Sequence, residues 1–395
     1  MRKFHLEISG PSVIAQAKPD ERKWGQFQFP KILKTENGGF YVHWDHGSDD
    51  HDYGFVVMDA VSDDGKVWRK REASDVVAYP KMKNGNYFAG FKKKGVTRSD
   101  YLNKYAHVLE NPQNGAKCYF ADDVAEMDDK TVWGIEIDSK TGDERYFECK
   151  INWPFMPLYT LKQDEVFPLT TVFFLANESF REIDGVLYAP VYAKGLNSDA
   201  TNKNDAIPKY FTNGVYVLYS KDGGLTWDYL SQVLVDDETF NENPAFEGFD
   251  EPHIAQMPDG SFVMLIRTGS RHPSYITRST DNMKTWSKPQ VFDGIGVLPQ
   301  IQPLKCGVTL SSYGRPILKV RATSDPSGMK WQDPIIISLS DLAPNSVDKS
   351  CYYTGLVPYG DNEALFVYAD FNCKNQQNEP VKTILCRKIT VVFDD

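Results

Sequence analysis

Two octapeptides, Ser220–Trp227 (SKDGGLTW) and Ser279–Trp286 (STDNMKTW), constrain this chain more than any other feature. Each sets Ser, Asp and Trp in the first, third and last places. Short Ser and Asp side chains hydrogen-bond the backbone of a tight turn, Gly supplies positive φ, and Trp plugs the space beside the hairpin. Degenerate copies occur at Ser62–Trp68 (SDDGKVW) and Ser324–Trp331 (SDPSGMKW). Such turns, dispersed through 395 residues, imply a repeated β unit. An aromatic content of 13% with 28 Gly and 23 Pro agrees with many short strands and turns.

A second element precedes these turns: an opening residue, often followed by Pro, then an Ile, Leu or Met, a Gly and a β-rich run. It opens at Phe29, Tyr79, Ser179, Glu251, Leu298 and Tyr353, and four of these six positions are followed by Pro. Pro is tolerated at the start of a strand but not inside a central ladder. The expected fold is all-β: a six-bladed β-propeller of four-stranded antiparallel blades, forming a single domain over residues 1–395. The interval from Tyr79 to Ser179 is about twice the first, which predicts an insertion at residues 93–118 and 152–178. Lys3–Ala17 and Thr383–Phe393 both read as strands. They are expected to share a blade and so close the ring.

Lys and Arg number 44 against 54 Asp and Glu, a formal charge of −10 that argues against nucleic acid as a partner. The six cysteines show no CxxC or zinc spacing and read as free thiols. His5, Glu7 and Pro11 fall where a signal peptide needs an apolar run, and no stretch could span a bilayer. A cytoplasmic protein without a membrane partner is the expectation.

Alternate residues of a strand share a face, so the first and third positions of each repeat should point together. Those pairs are Phe29/Lys31, Tyr79/Lys81, Ser179/Arg181, Glu251/His253, Leu298/Gln300 and Tyr353/Gly355. Lys31, Lys81 and Arg181 would therefore aim cations at the axis, with His253 as a further one. Such an inversion of charge in an acidic protein suits an acidic oligosaccharide. The cluster from His43 to Asp52 could offer metal ligands, but it lacks a recognised spacing. No cofactor is expected. The tryptophans that end the turns read as plugs, whereas Trp44, beside that cluster, is the expected sugar-stacking residue.

The Ser–Asp–Trp turns resemble the Asp-box of the sialidase-type β-propellers. Residues Glu251–Arg267 are similar to the sialidase blade in which a Glu opens the inner strand and an Arg closes the next. Residues Cys351–Leu356 resemble the segment that carries that family's nucleophilic tyrosine. The resemblance implies exo-acting hydrolysis of a terminal acidic sugar, sialic or uronic, with Tyr353 as nucleophile and Glu251 as its base. Asp50 would be the acid, with Asp49 and Asp52 close by, and Arg267 would bind the substrate carboxylate. The family's first clamp arginine has Gln28 or Lys31 in its place, and Arg315 or Arg321 lies near the third, for which Arg321 is the choice. A uronate-cleaving lyase or rhamnose–glucuronate-cleaving enzyme using the same cations, and a glycan-binding propeller without catalysis, are the alternatives.

Overall fold

The computed structural model describes residues 2–47, 57–93, 107, 109–110, 117–120, 132–152, 154, 158–161, 174–175, 179–194, 212–242, 247–269, 272–339 and 352–394. Among them the chain is built from β-strands, with one short helix at Asp237–Glu242. No helix among the described residues is long and apolar enough to cross a membrane.

The chain folds as a β-propeller, and each sequence repeat opens an antiparallel meander. The first runs through Gln26–Thr35, Phe40–His46 and Val57–Ser62, with Val77–Ala78 added beside Gln26–Thr35. The fourth (Asp250–Gln256, Phe262–Arg267, Ser274–Ser279, Gln290–Asp293) and fifth (Val297–Pro303, Thr309–Gly314, Ile317–Thr323, Ile335–Leu339) are regular four-stranded sheets. The sixth comprises Thr354–Pro358, Glu363–Lys374 and Pro380–Phe393. Both N-terminal strands, Phe4–Ile8 and Ser12–Gln16, pair antiparallel with Pro380–Phe393, so the two ends of the chain share one blade as expected.

The second and third meanders depart from the regular pattern. Repeat two opens on an isolated bridge, Lys81 to Tyr87, and continues through Tyr87–Lys93, Val132–Ile137 and Glu144–Asn152. Its last strand then pairs in parallel with Thr226–Val233 of the third meander, Ile151 opposite Trp227. Trp227 is fully buried there among Phe88, Phe91 and Phe180. A separate small sheet joins Leu109–Glu110, Lys117–Phe120 and Leu158–Leu161. Most of the expected insertion lies outside the described residues.

The core is divided into apolar seams between neighbouring meanders. Phe27, Val42 and Trp44 of the first pack against Leu365 and Val367 of the sixth. Val215 and Val217 of the third pack against Ile254 and Met264 of the fourth. Blade side chains thus point mainly at the adjacent blades, leaving the strand starts to converge at the centre.

The turns behave as their residues dictate. Ser220 Oγ accepts from the Gly224 N–H at 2.8 Å, and Asp222 accepts from the Thr226 N–H at 2.9 Å. In the second copy Met283 and Thr285 donate to Ser279 and Asp281, and Asn282 and Met283 adopt the positive φ that Gly supplies in the first. The degenerate copy at Ser324 begins one residue earlier, because it is Thr323 Oγ1 that accepts from the Asp325 N–H. A further Asp-led turn, Asp138–Asp143, has Asp138 accepting from the N–H groups of Lys140 and Thr141, two and three residues on.

Hydrogen bonds from Thr285, above all, push the Asp281 carboxyl down from 3.8 to about 2. A depressed folded-state pKa contributes stability above the ordinary carboxylate value, and that contribution is lost as pH falls towards 2. Asp281→Asn is therefore expected to lower the melting temperature at pH 6, with the gap to wild type closing as pH approaches 2. Thermal unfolding at the two pH values checks it.

Candidate functional site

Three strand starts deliver the central residues by the same backbone device. Phe29, Glu251 and Leu298 have positive φ, at 53°, 42° and 41°. Each falls where strand register slips: between Gln28 and Lys31, Asp250 and His253, and Val297 and Gln300. Pro follows all three, and a residue before Pro normally prefers extended backbone. These are β-bulges that re-aim the opening side chain: Glu251 meets Arg267 and Tyr353, while Leu298 and Phe29 pack in the apolar seam around Tyr353.

Glu251 sits at the hub. Its Oε1 accepts from the Tyr353 hydroxyl at 2.6 Å and from Arg267 Nη1 at 2.7 Å, and its Oε2 accepts from the Leu298 N–H at 3.1 Å. Arg267 Nη1 also donates to the Tyr353 oxygen at 3.1 Å. Fourth, fifth and sixth meanders therefore meet at one carboxylate, whose oxygens are oriented by three donors. Burial pushes the Tyr353 phenol well above its usual value; Arg267 and Arg315 oppose the rise and Glu251 adds to it.

Arg267 lies among carboxyl groups. Besides Glu251, Glu247 is 3.6 Å from Nη2 and Asp250 is 4.0 Å from Nε. Asp250 stands directly across the ladder from Arg267 and is 2% exposed. Burial drives its carboxyl well above the carboxylate range, with Arg267 opposing and Glu247 and Glu251 adding to the rise. The Tyr192 hydroxyl is near the same charges and is pushed up by burial and by Glu251.

Of the two candidates for a third arginine, Arg315 lies beside Tyr353 and Arg321 lies away from it. The Arg315 guanidinium lies 5.1 Å from the centre of the Tyr353 ring and 5.0 Å from that of Trp24. Arg321 instead donates to the backbone carbonyls of Gln332 and Phe292 and lies over the Phe292 ring, a structural role in the fifth meander. Its position in the middle of a strand takes it away from the strand starts, whereas Arg315 occupies a turn beside them.

The other expected residues separate into those near the centre and those that are not. Arg181 Nη2 lies 3.4 Å from both ring nitrogens of His253. The Ile301 N–H donates to His253 Nδ1 at 3.3 Å, and burial, then Arg181, holds the imidazole well below its usual pKa. His253 is neutral and adds no further positive charge. Lys31 is half-buried opposite His43, whose pKa burial and Lys31 lower to about 3. Lys81 is exposed, 3.9 Å from Glu36 in the hairpin turn at the far end of the first inner strand, so it does not join the centre. Trp44 is 2% exposed against Phe27 in the seam and is no platform for a sugar. Trp24, half-buried, meets the Phe29 ring edge to face, and Phe29 in turn packs against Tyr353. Asp49, Asp50 and Asp52 lie outside the described residues, and no group of three metal-ligating side chains occurs among the described ones.

Sequence patterning missed Trp24 and Asp250, and passed over Arg315 for Arg321. Asp250 precedes the repeat opening, and only the register slip tells that it faces Arg267.

No family model matches the sequence, and no curated protein matches it. Solved structures do match. The chain aligns over 98% of its length with 99% of a protein of unknown function from Dyadobacter fermentans, at 16% identity and a TM-score of 0.62. It aligns over 98% with 98% of the GH93 α-L-arabinofuranosidase of Fusarium graminearum in complex with arabinobiose, at 11% identity and a TM-score of 0.53. A Penicillium chrysogenum α-L-arabinanase complexed with arabinobiose is covered over 98% of its chain, at 12% identity and a TM-score of 0.52. The chain thus has a propeller fold that glycoside hydrolases also use.

Proposed function

We propose that this protein is a glycoside hydrolase that removes a terminal acidic sugar, sialic or uronic, from an oligosaccharide. Tyr353 is the nucleophile and Glu251 its base. The observation that carries this reading is the 2.6 Å hydrogen bond from the Tyr353 hydroxyl to a carboxylate held by two further donors. A phenol is a weak nucleophile until a base takes its proton, and a base fixed by a third group is the usual means. A neutral nucleophile also suits attack beside a substrate carboxylate, which would repel Asp or Glu; Tyr-nucleophile glycosidases are a known exception to the two-carboxylate scheme. Arg267 at the phenol oxygen and Arg315 at its ring supply positive charge for that carboxylate. Asp50 remains the assigned acid on sequence grounds.

The test is a panel of umbelliferyl glycosides of sialic acid, glucuronic acid and arabinofuranose, with product configuration followed by NMR. Release of an acidic sugar with retained configuration is expected. Turnover of the neutral arabinofuranoside alone would discard the acidic-sugar part. Glu251→Gln is expected to lower kcat by about 10²–10³-fold, as for loss of a general base, with KM changed far less.

A second reading, lyase action on a uronic acid, draws on the neutral His253 beside Arg181. A neutral imidazole can abstract a proton that a neighbouring cation has acidified. Its product would be an unsaturated uronide absorbing in the ultraviolet.

A further inference from the structure

The Arg315 guanidinium lies over two aromatic rings at nearly equal distance, 5.0 Å from Trp24 and 5.1 Å from Tyr353, and Arg315 is 6% exposed. Cations over aromatic faces are held by the ring quadrupole, more strongly when desolvated. Trp24 is itself placed from two sides: its ring meets Phe29 and Phe371 edge to face, at 6.2 and 6.3 Å.

The segment that carries Trp24 is tied down from the far strand of the sixth meander. Lys382 is 2% exposed, yet its ammonium donates to the carbonyls of Lys23 at 2.5 Å and Gln26 at 2.8 Å, on either side of Trp24. The same ammonium lies 4.3 Å from the centre of the Phe371 ring, against which Trp24 packs. A buried ammonium is costly unless its donors are satisfied. Arg387 and Lys388 of the same strand are partly exposed, whereas Lys382 is buried with both of these carbonyls as its acceptors.

We propose that Lys382 and Trp24 are positioning residues that hold Arg315 against the Tyr353 ring. Lys382 fixes the turn by its carbonyls, the turn fixes Trp24, and the Trp24 face closes the second side of the guanidinium. The functional consequence rests on the reading of Tyr353 as nucleophile. A cation kept at the phenol ring favours negative charge on the phenol, both when Glu251 takes its proton and when it later leaves the sugar. The groups facing the Tyr353 phenol and ring are Glu251, Arg267 and Arg315, with Tyr192 nearby, so the loss of Arg315 leaves Arg267 to oppose the effect of Glu251.

The test uses full-length protein with 15N-labelled arginine. An Nε–H enclosed by two ring faces should resonate upfield of the exposed arginines, and Arg315→Lys assigns it by deletion. The shifted signal should vanish in Trp24→Leu, survive in Trp24→Phe and move in Lys382→Met. Trp24 is half-buried on a turn, so its variants give the answer if Lys382→Met fails to fold. On a glycoside that wild type hydrolyses, Trp24→Leu should lower kcat about tenfold with KM within threefold, and Trp24→Phe should recover most of it. A shifted resonance that persists in Trp24→Leu overturns the proposal, as does lost resonance with unchanged kcat. If Tyr353→Phe leaves turnover intact, the nucleophile assignment falls while the resonance signature still stands or fails by itself.

Discussion

Replacing Tyr353 with Phe is expected to cut kcat by about 10³-fold or more, roughly 4 kcal/mol of barrier, on whichever glycoside the wild-type protein hydrolyses. The substitution removes one oxygen and little else. The ring keeps its edge-to-face contact with Phe29 at 4.7 Å and its place beside Arg315. Glu251 loses the phenol but keeps Arg267 and the Leu298 N–H, so no buried carboxylate is orphaned. Stability should therefore change by only about 1 kcal/mol, the net worth of a typical hydrogen bond. Steady-state kinetics beside a thermal melt separate the two effects. Unchanged turnover would remove Tyr353 from the chemistry, and a collapse of the melt would make it a structural residue.

The second large effect is at Arg267. Arg267→Met keeps much of the side-chain volume but takes the cation from Glu251, Glu247 and Asp250 together. Removing one partner of a buried ion pair typically costs about 3–5 kcal/mol, because the remaining charge has no compensation. The pH dependence carries a sign that distinguishes this cause from lost packing. Asp250 is already held above the carboxylate range by burial, and without Arg267 nothing opposes the further rise that Glu247 and Glu251 cause. Groups of that kind favour the folded state at low pH and lose their contribution as pH rises through the folded pKa. The variant's deficit in melting temperature should thus be larger at pH 8 than at pH 5. Adding Glu251→Gln should recover part of it. An equal deficit at both pH values would point to packing alone.

The propeller was legible in the sequence because its turns obey local rules. Ser220, Asp222, Ser279 and Asp281 act within their own hairpins, so spacing alone identifies them. Closure was legible for a similar reason: Pro380–Phe393 and both N-terminal segments read as strands, and each needs a partner. The meeting of Glu251, Arg267 and Tyr353 was readable from their places in the repeat and from the resemblance that assigned their roles. What escaped depends on non-local geometry. Lys81 occupies the same repeat position as Lys31, yet its inner strand is reduced to a bridge and its side chain pairs outward with Glu36. Trp44 lies near a polar loop in sequence but on the seam face of its strand. Arg315 and Arg321 are indistinguishable by composition. The turn that brings one of them to Trp24 and Tyr353 is set by tertiary contacts.

The bulges at Phe29, Glu251 and Leu298 hold three unlike side chains in one backbone conformation. Residues with positive φ cost on the order of 1–3 kcal/mol each, and surrounding structure must over-determine them. The frame therefore bears that burden at each socket, for an aromatic, an acid and an aliphatic alike. Leu298, whose N–H donates to Glu251, fills its socket as a buried member of the apolar cluster that holds Tyr353, so this one position ties the core to the charged centre.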